Sequence, residues 1–229
     1  MALDGKGSSI LPAVHPAKNG LPYDTNDKVS FLEENMKKIP TLFERQFENH
    51  KIVKCLPRVT KGFEWVIYGE GIATIKWDGS ACAIIDGELY KRFDAKKGKA
   101  IPKGAIKCQD EADPITGHFP CWLKCDINNP ADKWFFAALS NTIPNDKKTL
   151  PDATYEAIGK HFNGNPYGYE TDVLIKHGIH SIYVDRSYNA IKDYLRDTEV
   201  EGIVFWKDNM PQCKIKRTDF GFKWGDNEK

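Results

Sequence analysis

The side chains in this sequence best suited to chemistry are amines and carboxylates at the ends of strand-like runs. Lys76 closes Ile72-Ala73-Thr74-Ile75 and is followed by Trp77-Asp78-Gly79, giving Lys-x-Asp-Gly where a strand turns. That place holds an amine at the rim of a sheet, and the glycine permits close approach of another backbone or a ligand. A lysine with its ordinary pKa of ~10.4 is a poor nucleophile at neutral pH, so one used in that role needs burial or neighbouring cations to favour its neutral form. Lys214-Ile215-Lys216 supplies such neighbours, because period-two alternation puts both amines on one face of a strand. Arg92 lies beyond a hairpin, Glu156 sits inside Tyr155-Glu156-Ala157-Ile158, and Glu201 opens Glu201-Gly202-Ile203-Val204-Phe205. Amines that neutralise anionic oxygen, beside carboxylates that accept hydroxyls or hard cations, suit chemistry on phosphate.

These residues need elements to hold them. Gly5, Gly7, Pro12, Pro16, Gly20 and Pro22 make residues 1–26 an irregular leader. Asp27 can cap a helix whose Phe31, Leu32 and Met36 recur at helical spacing, with Pro40 ending it. Trp65-Val66-Ile67-Tyr68 and Ile72–Ile75 read as strands, and Ala81–Ile85 runs through Asp86-Gly87 into Glu88–Phe93 as a type I′ hairpin. Residues 94–128 read as turns rich in lysine, and Pro130–Leu139 as a short helix whose Trp134, Phe135 and Phe136 belong in a core. A strand at Thr154–Ile158 leads to the turn Asn163-Gly164-Asn165-Pro166-Tyr167-Gly168. Strands follow at Val173–Ile175 and Ile182–Val184, then a helix capped by Ser187 with Ile191, Tyr194 and Leu195 inward. Gly202–Trp206 and Gln212–Arg217 complete the strands. Strands outnumber helices and short turns join them, so the expected fold is α+β with mostly antiparallel sheets and flanking helices.

Composition narrows the classes. The chain has 229 residues, 41% of them hydrophobic, enough for one substantial core, and 33 basic against 32 acidic residues leave a formal charge of +1. Any nucleic-acid contact must therefore come from a local basic surface, such as Lys91, Arg92, Lys96, Lys97, Lys99, Lys103 and Lys107. No apolar run approaches the roughly 18–20 residues that span a bilayer, and the N-terminus lacks a secretory pattern, so a soluble cytoplasmic protein is expected. Neither a dinucleotide-binding βαβ fingerprint nor a G-x4-G-K-[ST] loop is present. Cys108, His118, Cys121 and Cys125 fall within eighteen positions but lack paired C-x2-C spacing, so buried free thiols and a loop histidine are favoured over zinc.

The ordered pieces, Lys76-Trp77-Asp78-Gly79, Arg92, Glu156, Glu201-Gly202-Ile203-Val204-Phe205-Trp206 and Lys214-Ile215-Lys216, resemble the motif series of the covalent nucleotidyltransferase superfamily. That superfamily includes polynucleotide ligases and mRNA capping enzymes. With Asn163–Gly168 and His177-Gly178 added, the chain looks most like the small single-domain ATP-dependent RNA ligases of the vertebrate RNA ligase 1 type, over roughly residues 50–225. The resemblance implies one adenylation domain of ATP-grasp-like ligase type over residues 1–229, with 1–45 a leader and helix of unassigned role and 46–229 the catalytic core. The thirteen residues after Lys216 are too few for the OB-fold domain of larger relatives.

By resemblance, Lys76 attacks the α-phosphate of ATP and becomes lysyl-AMP, while Lys214 and Lys216 neutralise phosphate charge. Glu201 would hold Mg2+ or Mn2+, Glu156 would accept from a ribose hydroxyl, and Arg92 would meet the ribose or an RNA 5′-phosphate. Ile203 or Val204 would floor the adenine. Thr74, Ile75, Gly79 and His177 would line the nucleotide site, and Asp78 would orient Lys76 or a metal-bound water. AMP would then pass to an RNA 5′-phosphate, a 3′-hydroxyl would displace it, and the basic stretch from Lys91 to Lys107 would track the RNA. A GTP-using capping guanylyltransferase and a non-catalytic RNA-binding module are the alternatives.

Overall fold

A computed structural model describes residues 38–48, 51–114 and 116–225; the leader and the helix expected from Asp27 lie outside them, apart from Lys38–Pro40. The elements are β1 (Phe43–Glu48), β2 (Lys51–Val59), α1 (Glu64–Ile67), β3 (Ile72–Lys76), β4 (Ser80–Ile85), β5 (Glu88–Ala95), β6 (Ile106–Lys107) and β7 (Phe119–Lys124). After these come α2 (Lys133–Thr142), β8 (Ala153–Ile158), β9 (Val173–Lys176), β10 (Ser181–Ile182), α3 (Tyr188–Asp197), β11 (Gly202–Lys207) and β12 (Met210–Lys216). Short 3-10 turns cover Pro130–Asp132 and Arg217–Phe220.

Two sheets and a hairpin result. One sheet has four strands in the order β10-β3-β11-β12, the other six in the order β6-β7-β5-β4-β8-β9, and β1 pairs with β2. Every strand pair is antiparallel. Helices are few, so the α+β, antiparallel expectation stands. Thr41 adds a parallel bridge to Lys214, with Leu42 N–H donating to Lys214 O at 2.7 Å and Lys214 N–H to Pro40 O at 3.0 Å. No helix among the described residues is long and apolar enough to cross a membrane.

Alternation decides which face of each sheet is buried. On the four-stranded sheet Ala73 and Ile75, Ile203 and Phe205, Cys213 and Ile215 point into one core with α3, whose Ile191 and Leu195 are fully buried. Burying each of these helix side chains is worth ~1.5–3 kcal/mol. Ser187 starts α3 as expected, accepting from Ala190 N–H at 3.3 Å. On the six-stranded sheet Cys82, Ile84, Leu89, Tyr155, Ala157 and Leu174 pack under α2, where Trp134, Phe135 and Phe136 take the core role read from sequence. The Asp86-Gly87 turn has φ of 51° and 74°, the positive pair a type I′ hairpin requires.

Three readings need correction. Trp65–Tyr68 is a helical turn, not a strand. It is confined between left-handed Gly62 and Gly69, Glu64 accepts from Gly62 N–H at 2.9 Å, and Val66 plugs the core. Within residues 94–128, β7 is a strand that pairs with β5 from Tyr90 to Ala95, with Pro120, Cys121 and Trp122 buried. The strand expected at Ile182–Val184 reduces to Ser181–Ile182, leaving Tyr183 98% exposed. The β1-β2 hairpin, absent from the sequence reading, lacks clean alternation because its register shifts twice.

Candidate active site

The chemistry-bearing residues converge where the two sheets meet. β3, β11 and β12 lie side by side, so Thr74, Val204 and Lys214 form one row across the sheet, and Lys76, Gly202 and Lys216 the next. These rows occupy the face opposite the core, since they alternate with Ile75, Ile203 and Ile215. Gly202 has no room for a side chain: a Cβ would lie 2.3 Å from Ile215 O. With nothing between them, Lys76 and Lys216 reach the same carboxylate. Lys76 Nζ is 2.5 Å from Glu201 Oε2, and Lys216 Nζ is 2.5 Å from Glu201 Oε1. Glu201 is 4% exposed, and two lysines repay the desolvation of its charge.

Lys214 stands beside this pair without a carboxylate of its own. Burial, then the positive charges of Lys76 and Lys216, push its pKa down to about 8 against the opposing pull of Glu201. Lys216 goes the other way: burial disfavours its charge, but the ion pair and hydrogen bond with Glu201 outweigh that and hold its pKa above the ordinary range.

Trp77-Asp78-Gly79 carries the chain from β3 into β4, from one sheet to the other. Gly79 passes so near β8 that a Cβ would lie 2.1 Å from Ala157 O, and its N–H donates to Glu156 Oε1 at 3.0 Å. The other Glu156 oxygen is 2.9 Å from His177 Nε2, and His177 Nδ1 is 3.0 Å from Thr154 Oγ1. His177 thus orients Glu156. On Asp78, Oδ1 accepts from Asn163 Nδ2 at 3.0 Å and Oδ2 from Trp224 Nε1 at 2.8 Å. These two bonds secure the turn that follows Lys76.

Between these walls lies a cavity of about 340 Å³. Thr74, Ile75, Lys76, Val204, Trp206 and Lys214 line it from one sheet, Gly79, Ala81, Arg92 and Glu156 from the other, with His177 beside them. Its volume and its mixture of apolar wall with convergent polar groups suit a nucleotide-sized ligand. Ile203 is corrected: its side chain is fully buried on the core face, one residue out of phase, and Val204 forms the wall. Asp78, Glu201 and Lys216 stand outside the lining, behind Gly79 and Lys76.

Trp206 and Lys38 were not read from sequence. Trp206 is in phase with Val204 and donates to Thr74 Oγ1 at 2.8 Å, so β11 alternation carried a signal for it. Lys38, which lines the cavity and pairs with Asp113 at 3.0 Å, falls at the end of the segment read as a helix up to Pro40, where Lys38–Pro40 are not helical and nothing in that reading marked it.

Lys91 departs from the basic track proposed for residues 91–107. β5 turns it toward α2, where it pairs with buried Asp132, whereas Arg92 faces the cavity and donates to Asp94 Oδ1 at 2.7 Å. All six cysteines are buried and free. Burial pushes the Cys108 and Cys125 thiols up to about 12, so they stay protonated, and Cys121 Sγ donates to Phe93 O at 3.2 Å. Among the described residues no three His, Cys, Asp or Glu side chains group to hold a metal.

No family model matches the chain. It is similar to RNA ligase 1 of Danio rerio at 25% identity, in an alignment covering 66% of this chain and 68% of the relative. That similarity is a distant relationship to an RNA ligase.

Proposed function

We propose that this protein is an ATP-dependent RNA ligase that works through a lysyl-AMP intermediate and an RNA-adenylate. The observation that carries the reading is the lysine row: Lys76 at the mouth of the Lys-x-Asp-Gly turn, with Lys214 and Lys216 on the same sheet face beside a nucleotide-sized cavity. The distant relative named as an RNA ligase supports the substrate class.

In this reading ATP enters between the sheets with its base against Val204 and Trp206. Its ribose meets Glu156, which His177 orients, and its α-phosphate approaches Lys76. Lys76 must shed its proton and its contact with Glu201 before Nζ can attack. A phosphorus–nitrogen bond then forms as the bond to pyrophosphate breaks, and Lys214 and Lys216 offset the negative charge that builds on the phosphate oxygens. The AMP passes from Lys76 to an RNA 5′-phosphate. A 3′-hydroxyl displaces AMP from that phosphate and closes the phosphodiester. Arg92, on the cavity wall, suits the incoming 5′-phosphate.

The reaction calls for Mg2+ or Mn2+, and Glu201 fits as its protein ligand. Hard cations of this kind bind through one or two carboxylates together with substrate phosphate oxygens. Glu201 would exchange a lysine for the metal, which supplies further charge neutralisation at the phosphates.

The test is incubation with α-labelled ATP or GTP and divalent metal, followed by a denaturing gel. Label from ATP retained by the wild type and lost from Lys76→Ala supports the reading. Label from GTP alone would overturn it in favour of capping chemistry, and no label from either would remove the covalent step.

A further inference from the structure

The turn that follows Lys76 is gripped from two distant parts of the chain, and one grip comes from the last described residues. Trp224 Nε1 donates to Asp78 Oδ2 at 2.8 Å, across 146 positions of sequence. Asn163 Nδ2 donates to Asp78 Oδ1 at 3.0 Å and to Gly79 O at 2.7 Å, and Asp78 N–H donates to Tyr167 OH at 2.7 Å. The rings around these bonds are stacked in series. Trp77 meets Tyr167 edge-on at 4.9 Å, and Tyr167 leans on Trp224 at 5.5 Å.

Trp224 is itself held. It is 9% exposed, and the Arg217 guanidinium lies 5.8 Å above its ring. Arg217 in turn donates to the carbonyls of Thr198, Arg196 and Lys223, which ties this corner to the end of α3.

We propose that Trp224 is a positioning residue for the nucleophile Lys76, acting through Asp78. The proposal rests on the reading of Lys76 as the lysine that takes AMP. Trp224 is not among the residues that line the cavity, and its indole N–H reaches the turn two residues after Lys76 through the Asp78 carboxylate. Without the indole N–H, Asp78 Oδ2 loses its partner, and the turn can rotate about the contacts that remain. Lys76 would then approach the α-phosphate at a wrong angle. ATP binding would change little, because the base, ribose and phosphate contacts belong to other side chains. A misplaced nucleophile therefore shows in the rate of the covalent step rather than in the concentration of ATP needed.

The experiment uses the full chain and measures single-turnover formation of lysyl-AMP over a series of ATP concentrations. Trp224→Phe keeps most of the ring and removes the N–H; Asp78→Asn weakens the same contact from the other side. Each is expected to lower the maximal rate by about tenfold or more, with half-saturating ATP within about twofold of wild type. The double variant is expected to be no slower than the slower single one, since both remove one bond.

A Trp224→Phe protein that matches the wild-type maximal rate overturns the proposal, as does a double variant whose losses multiply. If Trp224→Phe melts well below wild type, Asp78→Asn decides by the same rate and concentration split. A wild type that forms no lysyl-AMP removes this inference together with the reading beneath it. A wild type that does, with Trp224→Phe keeping pace, removes this inference alone.

Discussion

The two sheets that enclose the cavity contribute to it in opposite ways. The four-stranded sheet presents charge: three lysines within two adjacent rows, two of them converging on one buried carboxylate. The six-stranded sheet presents, beside Arg92, a chain of hydrogen bonds from Thr154 through His177 and Glu156 to Gly79 N–H, which fixes direction. The first wall suits the part of a substrate that gains charge during reaction, the second the part that must only be held. Trp77-Asp78-Gly79 carries the chain directly from the Lys76 strand to the second wall, and the Asp78 N–H and both its carboxylate oxygens are tied down there.

The severest way to break this division is to force the walls apart. Gly79→Ala places a Cβ 2.1 Å from Ala157 O, and backbone cannot yield as a side-chain tip can. Overpacking of this kind costs ~1–3 kcal/mol, expected as a fall of several degrees in melting temperature together with loss of lysyl-AMP formation. Differential scanning fluorimetry and the labelling gel would read both.

A milder change tests the charged wall. Burial and the neighbouring lysines bring the Lys214 pKa down to about 8, so as pH rises through 8 it loses the proton that would make it a phosphate partner in the proposed reaction. Affinity for ATP is expected to fall by about fivefold between pH 8 and 9, measured by titration calorimetry. Lys214→Arg keeps its charge across that range and should flatten the curve. The same shift also acts on folding. Between about pH 8 and the ordinary lysine pKa the unfolded chain binds more protons than the folded one, so this group's contribution to stability increases with pH there.

The smallest effect is expected on the hydrogen-bonded wall. His177→Asn removes the ring nitrogen that meets Glu156 and leaves the carboxylate its bond to Gly79. The loss of one such contact is ~1 kcal/mol, seen as about a fivefold rise in the KM for ATP with kcat retained. An equal fall in kcat would show that the second wall also takes part in the transition state.

Much of this site was legible because it obeys alternation. Lys214 and Lys216 fall on one face for the reason that Ile215 falls on the other, and the Asp86-Gly87 hairpin sets the order in which β4 and β5 lie beside the cavity. Ile203 went wrong by one residue: its composition fits an apolar floor, but only pairing with Ile75 and Ile215 decides which face it takes. The partners of Asp78, Asn163 and Trp224, were not legible because they are 85 and 146 positions away and only the fold brings them to the turn. Trp65–Tyr68 shows β-rich composition yielding to turns on either side.

The parallel bridge at Thr41 reaches beyond the cavity it borders. Open strand edges invite strands from other molecules, the first step of sheet-mediated aggregation. Here the outer edge of β12 is met at Lys214 by Pro40 and Leu42, while β10 and β6, the outermost strands at two other edges, are two residues long. Those edges offer an intruding strand almost no ladder to extend. The segment that brings Lys38 to the cavity thus also blunts one edge of the lysine-bearing sheet against sheet-mediated aggregation.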